Sequence, residues 1–232
     1  MENRKKITNI DSVNDLFDFL KENAESKKSK LYRGVKSSNY KLIPSVGRCK
    51  NANGMAFTQE GERKMLQLFR QKSYPFIDNV CNDLELLALA QHHGLPTRLL
   101  DWTWNPIVAV FFAVKDEWNK HEVVTDSLLY VWDKDISGDL DPIFEPFDIK
   151  EITLFLPKHL TKRIIAQSGL FTVHPDPNTE VELKNLEVIK ISADCRKKLK
   201  KAVEHLGIHQ STMFPDLEGV AQYVKWLRTN NH

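Results

Sequence analysis

The chain has no apolar run that reaches the ~18 residues a membrane-spanning helix needs. The apolar stretch 107–114 is far too short. The opening residues carry positive charge with no hydrophobic stretch after them, which excludes a secretory signal. Cysteine is scarce: Cys49, Cys81 and Cys195 are odd in number and widely spaced. That pattern fits reduced thiols in a cytoplasmic protein and argues against a disulfide framework or a zinc site. Neither sign of charge dominates. A net charge of +2 is too small to point to nucleic acid by itself. Signals for a P-loop, a dinucleotide glycine turn, a hydrolase nucleophile elbow and a kinase loop are missing, which removes the commonest nucleotide enzymes. No helical zinc-protease motif or paired CxxC is present. His205 and His209 have i, i+4 spacing but are separated by Gly207, so no metal site is expected.

What is there suits a globular domain. The chain has 232 residues, 41% hydrophobic and 28% charged, enough for one large domain with a substantial core. Val13, Leu16, Phe17 and Leu20 recur at helical spacing behind Asp11 or Ser12, and a polar linker follows over 21–30. Residues 31–35 read as a strand ending in a turn at Arg33-Gly34, and 40–46 as a second extended piece. Thr58 is a cap for a helix to about Gln71. Asn82, with Glu85 three residues on, starts another that stops at Gly94. Asn105 and Pro106 start a third, over 107–114, apolar nearly all round and therefore deep. Beyond it, 128–132, 152–156, 170–173 and 186–191 read as strands. Residues 159–167, 192–206 and 217–227 read as helices. The class predicted is α+β: a helix-rich N-terminal half packed on a mostly antiparallel, strongly twisted central sheet, in a single domain spanning 1–232.

The candidate site lies in 89–114, where His92, His93, Thr97, Arg98 and Asp101 sit between strongly apolar segments. Charge buried without a partner is costly, so polar groups wedged between buried elements suggest a site. Arg98 and Asp101 read as one loop between two helices. They form either a structural ion pair or a ligand grip, with the planar guanidinium suited to phosphate or carboxylate. His92 and His93 point about 100° apart on a helix, so one of them can face a cleft while the other is structural. Arg33 beside apolar residues needs an anionic partner, and Gly34 admits a ligand or another backbone. Gln167 sits where a helix meets a strand. Glu180 and Glu182 share a strand face, either solvated or supplying a catalytic carboxylate. The run Arg196, Lys197, Lys198, Lys200 and Lys201 reads as a solvated helix face, with nucleic-acid contact as the alternative.

Four segments, LYRGV (31–35), HHGLPTRLLDWTWNPIVAVFFA (92–113), RIIAQSGLFTVH (163–174) and TMFPDLEGVAQYV (212–224), resemble the FRG-domain family of bacterial and phage-associated proteins, over about 10–228. Tyr32-Arg33-Gly34 matches the motif that names the family. The resemblance implies one soluble domain, and the family's habits imply a toxin or phage-defence role. A more distant likeness is to the ADP-ribosyltransferase superfamily. It implies NAD as cofactor, with Arg33 as the arginine that holds it. The polar groups gathered beside apolar elements add Gly34, Thr97, Arg98 and Asp101 to the binding set, with either His92 or Gln167 contacting the sugar or the transferred group. Gln167 and Glu180 are both candidates for the late carboxylate position. The alternatives are a non-catalytic binding module and a nucleic-acid-interacting protein.

Overall fold

A computed structural model describes residues 8–26, 29–77, 82–115, 125–134, 144–158 and 161–229. In chain order the elements are β1 (Asn9–Ile10), α1 (Val13–Ala24), β2 (Lys30–Val35), α2 (Ser45–Arg48), α3 (Gln59–Ser73), α4 (Asp83–His92), β3 (Leu99–Thr103), α5 (Pro106–Val114), β4 (Ser127–Asp133), β5 (Thr153–Phe155), α6 (Lys162–Ala166), β6 (Gly169–Val173), β7 (Leu186–Ile191), α7 (Arg196–His205), α8 (Gln210–Met213) and α9 (Leu217–Thr229). The caps fall where local chemistry dictates. The side chains of Ser12, Thr58, Asn82 and Asn105 accept hydrogen bonds from the backbone N–H groups of Asp15, Gly61, Glu85 and Ile107.

The strands form one mixed sheet in the order β1-β7-β4-β2-β3-β6-β5. β1 runs parallel to β7 and every other neighbouring pair is antiparallel. Helices on a mixed sheet make the domain α+β. Several expected elements differ: the linker expected over 21–30 is helical to Ala24 and enters β2 at Lys30, and the turn expected at Arg33-Gly34 is continuous strand to Val35. Residues 99–103, expected in a loop between two helices, are strand β3, held by β6 along its whole length. The extended piece at 40–46 gives way to the short helix α2. The helix at 159–167 is confined to Lys162–Ala166, with positions 159 and 160 outside the described residues, as is Cys81.

The sheet is not uniformly zipped. β2 pairs with β4 from Lys30↔Asp133 to Val35↔Leu128, but with β3 only at Tyr32↔Thr103. Past that pair the two central strands part, and this gap positions the site.

Packing follows strand alternation. Tyr32, Leu129, Val131 and Ile189 turn to the cluster built by α1, α5 and α7, while Leu31, Leu100, Trp102, Tyr130 and Trp132 belong to another. A third cluster sets Leu66, Leu84 and Leu87 of α3 and α4 against Leu99, Phe171 and Val173. Helix α5 crosses β2 in direct backbone contact. A Cβ on Gly34 would lie 1.8 Å from the Ala109 carbonyl oxygen, so only glycine fits. The basic run on α7 divides: Leu199, Lys200, Val203 and Arg196 are buried, and Lys197, Lys198 and Lys201 are exposed. Among the described residues no helix is long and apolar enough to cross a membrane.

Candidate ligand-binding cleft

Arg33 stands where β2 leaves β3. Its Nη1 donates to the backbone carbonyl of Asp101 at 2.7 Å and lies 3.5 Å from the Asp101 Oδ2. That carbonyl thus takes a guanidinium donor. The Arg33 Nε is buried and finds no partner among the described residues. Burial, with Arg48 nearby, weakens the hold of Arg33 on its proton, and Asp101 opposes this. The arginine is therefore fixed by one corner of its fork, with donor capacity left over.

Asp101 is aimed from the other side. Its Oδ1 accepts from Gln91 Nε2 at 2.8 Å, and Gln91 Oε1 in turn accepts the hydroxyl of the buried Thr97. Thr97 Oγ1 also accepts from the Leu99 N–H at 3.2 Å. The chain Thr97–Gln91–Asp101–Arg33 thus runs from the interior to an exposed carboxylate, 61% open at the side chain.

These groups border an inner hollow of about 180 Å³, lined among others by Arg33, Gly34, Asp101, Thr103, Phe112, Arg163 and Gln167. Arg163 donates to the His92 carbonyl at 3.2 Å, and its guanidinium stacks 4.3 Å from the Phe214 ring. Gln167 Nε2 donates to the Met213 carbonyl at 3.0 Å, and the Gln167 carbonyl accepts from the Thr103 hydroxyl at 2.7 Å. An outer hollow of about 450 Å³ shares Arg33, Gly34 and Phe112 with the inner one. The inner hollow alone is smaller than most small-molecule sites, and the outer one lies within their usual range.

The expected site residues separate into three groups. Arg33, Gly34, Asp101 and Gln167 converge on the inner hollow. Thr97 and His92 support it from behind: Thr97 through Gln91, and His92 through the carbonyl that holds Arg163. Burial, then Arg163 and His93, pushes His92 down to about 4, so the positive form that a helix C-terminus favours does not form near neutrality.

Arg98 and Glu180 lie elsewhere. Arg98 is fully buried and does not pair with Asp101. Its Nε and Nη2 donate to Glu62 Oε2 at 3.0 and 2.8 Å, and its Nη1 donates to the carbonyls of Pro146 and His174. The Phe147 ring lies 4.4 Å from the guanidinium. Ligand phosphate has no access to it. Glu180 pairs with Lys41 at 3.4 Å and lines a third hollow with Glu182 and Tyr130. It is not beside Gln167. Gly34 answers to helix α5 rather than to a ligand, although it borders both hollows.

Sequence reasoning passed over Gln91, Arg163 and Glu62. Arg163 was within reach of it: one helical turn before Gln167, it must share that residue's side of α6. Nothing local marks Glu62 as the partner of a residue 36 positions away.

The class these observations define is an α+β domain whose sheet parts at its centre around an arginine-lined cleft. Residues 28–122 match the FRG domain. The match takes in Arg33, Glu62, Arg98 and Asp101, while Arg163 and Gln167 come from segments beyond it. Comparisons with curated proteins and with solved structures give no match.

Proposed function

We propose that the cleft between β2 and β3 binds a nucleotide of NAD type, with Arg33 holding phosphate and Arg163 a second anionic or carbonyl group. The observation that carries this reading is Arg33 itself. It is a guanidinium anchored at one corner, with a buried donor unused, on the wall of a hollow. A planar fork with free donors is suited to phosphate oxygens. The supporting features are the parted strands, the Phe112 wall and the amide and hydroxyl groups around Thr103 and Gln167.

Binding is better supported than transfer. An ADP-ribosyl transfer or hydrolysis breaks the bond between ribose C1′ and nicotinamide. The leaving group keeps the electron pair, and positive charge builds on the sugar. Water or another acceptor then adds to C1′ and releases a proton. A carboxylate stabilises that charge or takes the proton. Glu180 is on another hollow, and the Gln167 amide is spent on Met213. The carboxylate that lines the inner hollow is Asp101, and the chemical step of this reading rests on it.

The test is calorimetric titration of NAD into the whole chain, with nicotinamide release followed by chromatography. Saturable binding that weakens at least tenfold in Arg33→Ala and less in Arg33→Lys, with the melting temperature of each variant measured alongside, supports the reading. Asp101→Asn is expected to leave binding within a few-fold and to abolish any release. Wild-type protein that neither binds NAD nor liberates nicotinamide overturns it. A melting temperature lowered by Arg33→Ala with no ligand-dependent difference favours the binding-module alternative, in which the polar chain is structural.

A further inference from the structure

The outer hollow has a composition that the nucleotide reading leaves unexplained. Among the described residues its walls carry five basic side chains, Arg33, Lys36, Lys41, Arg48 and Lys115, and no carboxylate. They come from four places in the chain. Arg33 and Lys36 lie at the end of β2 and just past it, and Lys41 follows in the next loop. Arg48 ends α2, and Lys115 caps the C-terminus of α5. The fold gathers them. Gly34 lets α5 press onto β2, and this brings Lys115 to the same wall as Arg33.

Like charges around one concavity repel one another, and the repulsion falls when an anion enters. Arg48 already weighs against the charge on Arg33. The neighbouring carboxylates are weak competitors. Lys41 meets Glu180 at 3.4 Å, but both side chains are about half exposed or more, and such pairs contribute about 0–1 kcal/mol. Asp101 occupies one corner of Arg33 and leaves its Nε unpaired. Lys115 is steadied by aromatic rings, its Nζ lying 4.2 Å from the Phe214 centroid and 5.5 Å from that of Phe112. Tyr40, Ile43 and Val35 add less polar wall.

The number of positive groups sets the class of ligand. One phosphate ester brings a charge of about −1.5 to −2. Arg33, Lys41 and Arg48 alone bring three positive charges to about 450 Å³, more than one such group balances. We infer that the outer hollow is a binding site for linked phosphates, a diphosphate or triphosphate group, gripped by Arg33, Lys41 and Arg48. The site stands independently of the dinucleotide reading. The same chemistry has two sources, the diphosphate of a nucleotide whose remainder lies in the inner hollow, or a separate polyphosphorylated molecule.

The experiment titrates inorganic pyrophosphate and inorganic phosphate into the whole chain at 50 and 200 mM salt, by calorimetry or phosphorus NMR. Pyrophosphate is expected to bind at least tenfold tighter than phosphate and to weaken at the higher salt. Arg48→Ser and Lys41→Ser are exposed substitutions that leave the fold intact. Each is expected to weaken pyrophosphate about five- to tenfold, while Lys197→Ser/Lys198→Ser on α7 does not. Competition with NAD separates the two sources. Displacement assigns the site to the dinucleotide's own phosphates, and joint binding to a second molecule; both support the site. Pyrophosphate bound by a chain that ignores NAD sinks the proposed function and leaves this inference standing. NAD bound equally well by Arg48→Ser, with no pyrophosphate binding at millimolar concentration, does the reverse. Single-stranded RNA that binds without displacement by pyrophosphate also overturns the inference.

Discussion

Replacing Glu62 by glutamine tests the division between the cleft and the sealed interior. The carboxylate and the Arg98 guanidinium are 2% and 0% exposed at their side chains. Glu62 accepts three hydrogen bonds from Arg98, two from the guanidinium and one from its backbone N–H at 2.9 Å. Glutamine keeps the shape and one acceptor oxygen but removes the charge and turns the other oxygen into a donor, leaving a buried cation without a counter-charge. Breaking a buried pair in this way costs about 3–5 kcal/mol. For a domain of this size each kcal/mol moves the melting temperature by about 2–4 °C. A fall of roughly 6–20 °C is therefore expected, readable by circular dichroism and by urea titration. The paired change Glu62→Leu with Arg98→Met removes both charges. It leaves the Pro146 and His174 carbonyls and one N–H without partners, at about 1–3 kcal/mol for each buried group left unpaired. Three such groups cost about as much as the broken pair or more, and in the folded variant NAD and pyrophosphate affinity are expected to stay untouched. A loss below about 1 kcal/mol in Glu62→Gln refutes the buried-pair reasoning. A loss of ligand affinity in a folded double variant returns Arg98 to the site.

Two further predictions concern stability. Gly34→Ala drives a methyl into the Ala109 carbonyl, and the backbones must separate. The expected loss is at least the 1–3 kcal/mol typical of overpacking, so a melting temperature unchanged within 2 °C rejects the contact. His174 is buried against Thr172, and burial, with Arg33 and Arg98 nearby, holds it at about 3. Its folded value lies below the unfolded one of about 6.5, so the unfolded chain binds the extra proton. The stabilisation is whole above about pH 6.5 and drains as pH falls toward 3, on the order of 4 kcal/mol in all. Urea midpoints of His174→Gln are expected to change less between pH 7 and pH 4 than those of wild type, and equal changes reject the assignment.

The sequence by itself determined whatever is settled within one turn of chain. Ser12, Thr58, Asn82 and Asn105 cap helices because a short side chain reaches an N–H two or three residues on. The apolar run after Pro106 had to be buried whatever lay against it. Arg33-Gly34 stood out for the same reason: a charge and a missing side chain in an apolar strand both need explaining. Tertiary structure alone decided that 99–103 is a strand, because five residues between helix signals take that form only when β6 and β2 supply hydrogen bonds from distant segments. That choice reversed the reading of Arg98 and Asp101. Three residues apart in a loop they can meet, whereas along an extended chain they turn to opposite sides, one to Glu62 and the other to Arg33. The gap beside Tyr32 and the basic walls of the outer hollow are likewise products of strand order and helix crossing. Side chains far apart in sequence become neighbours only after those long-range contacts form.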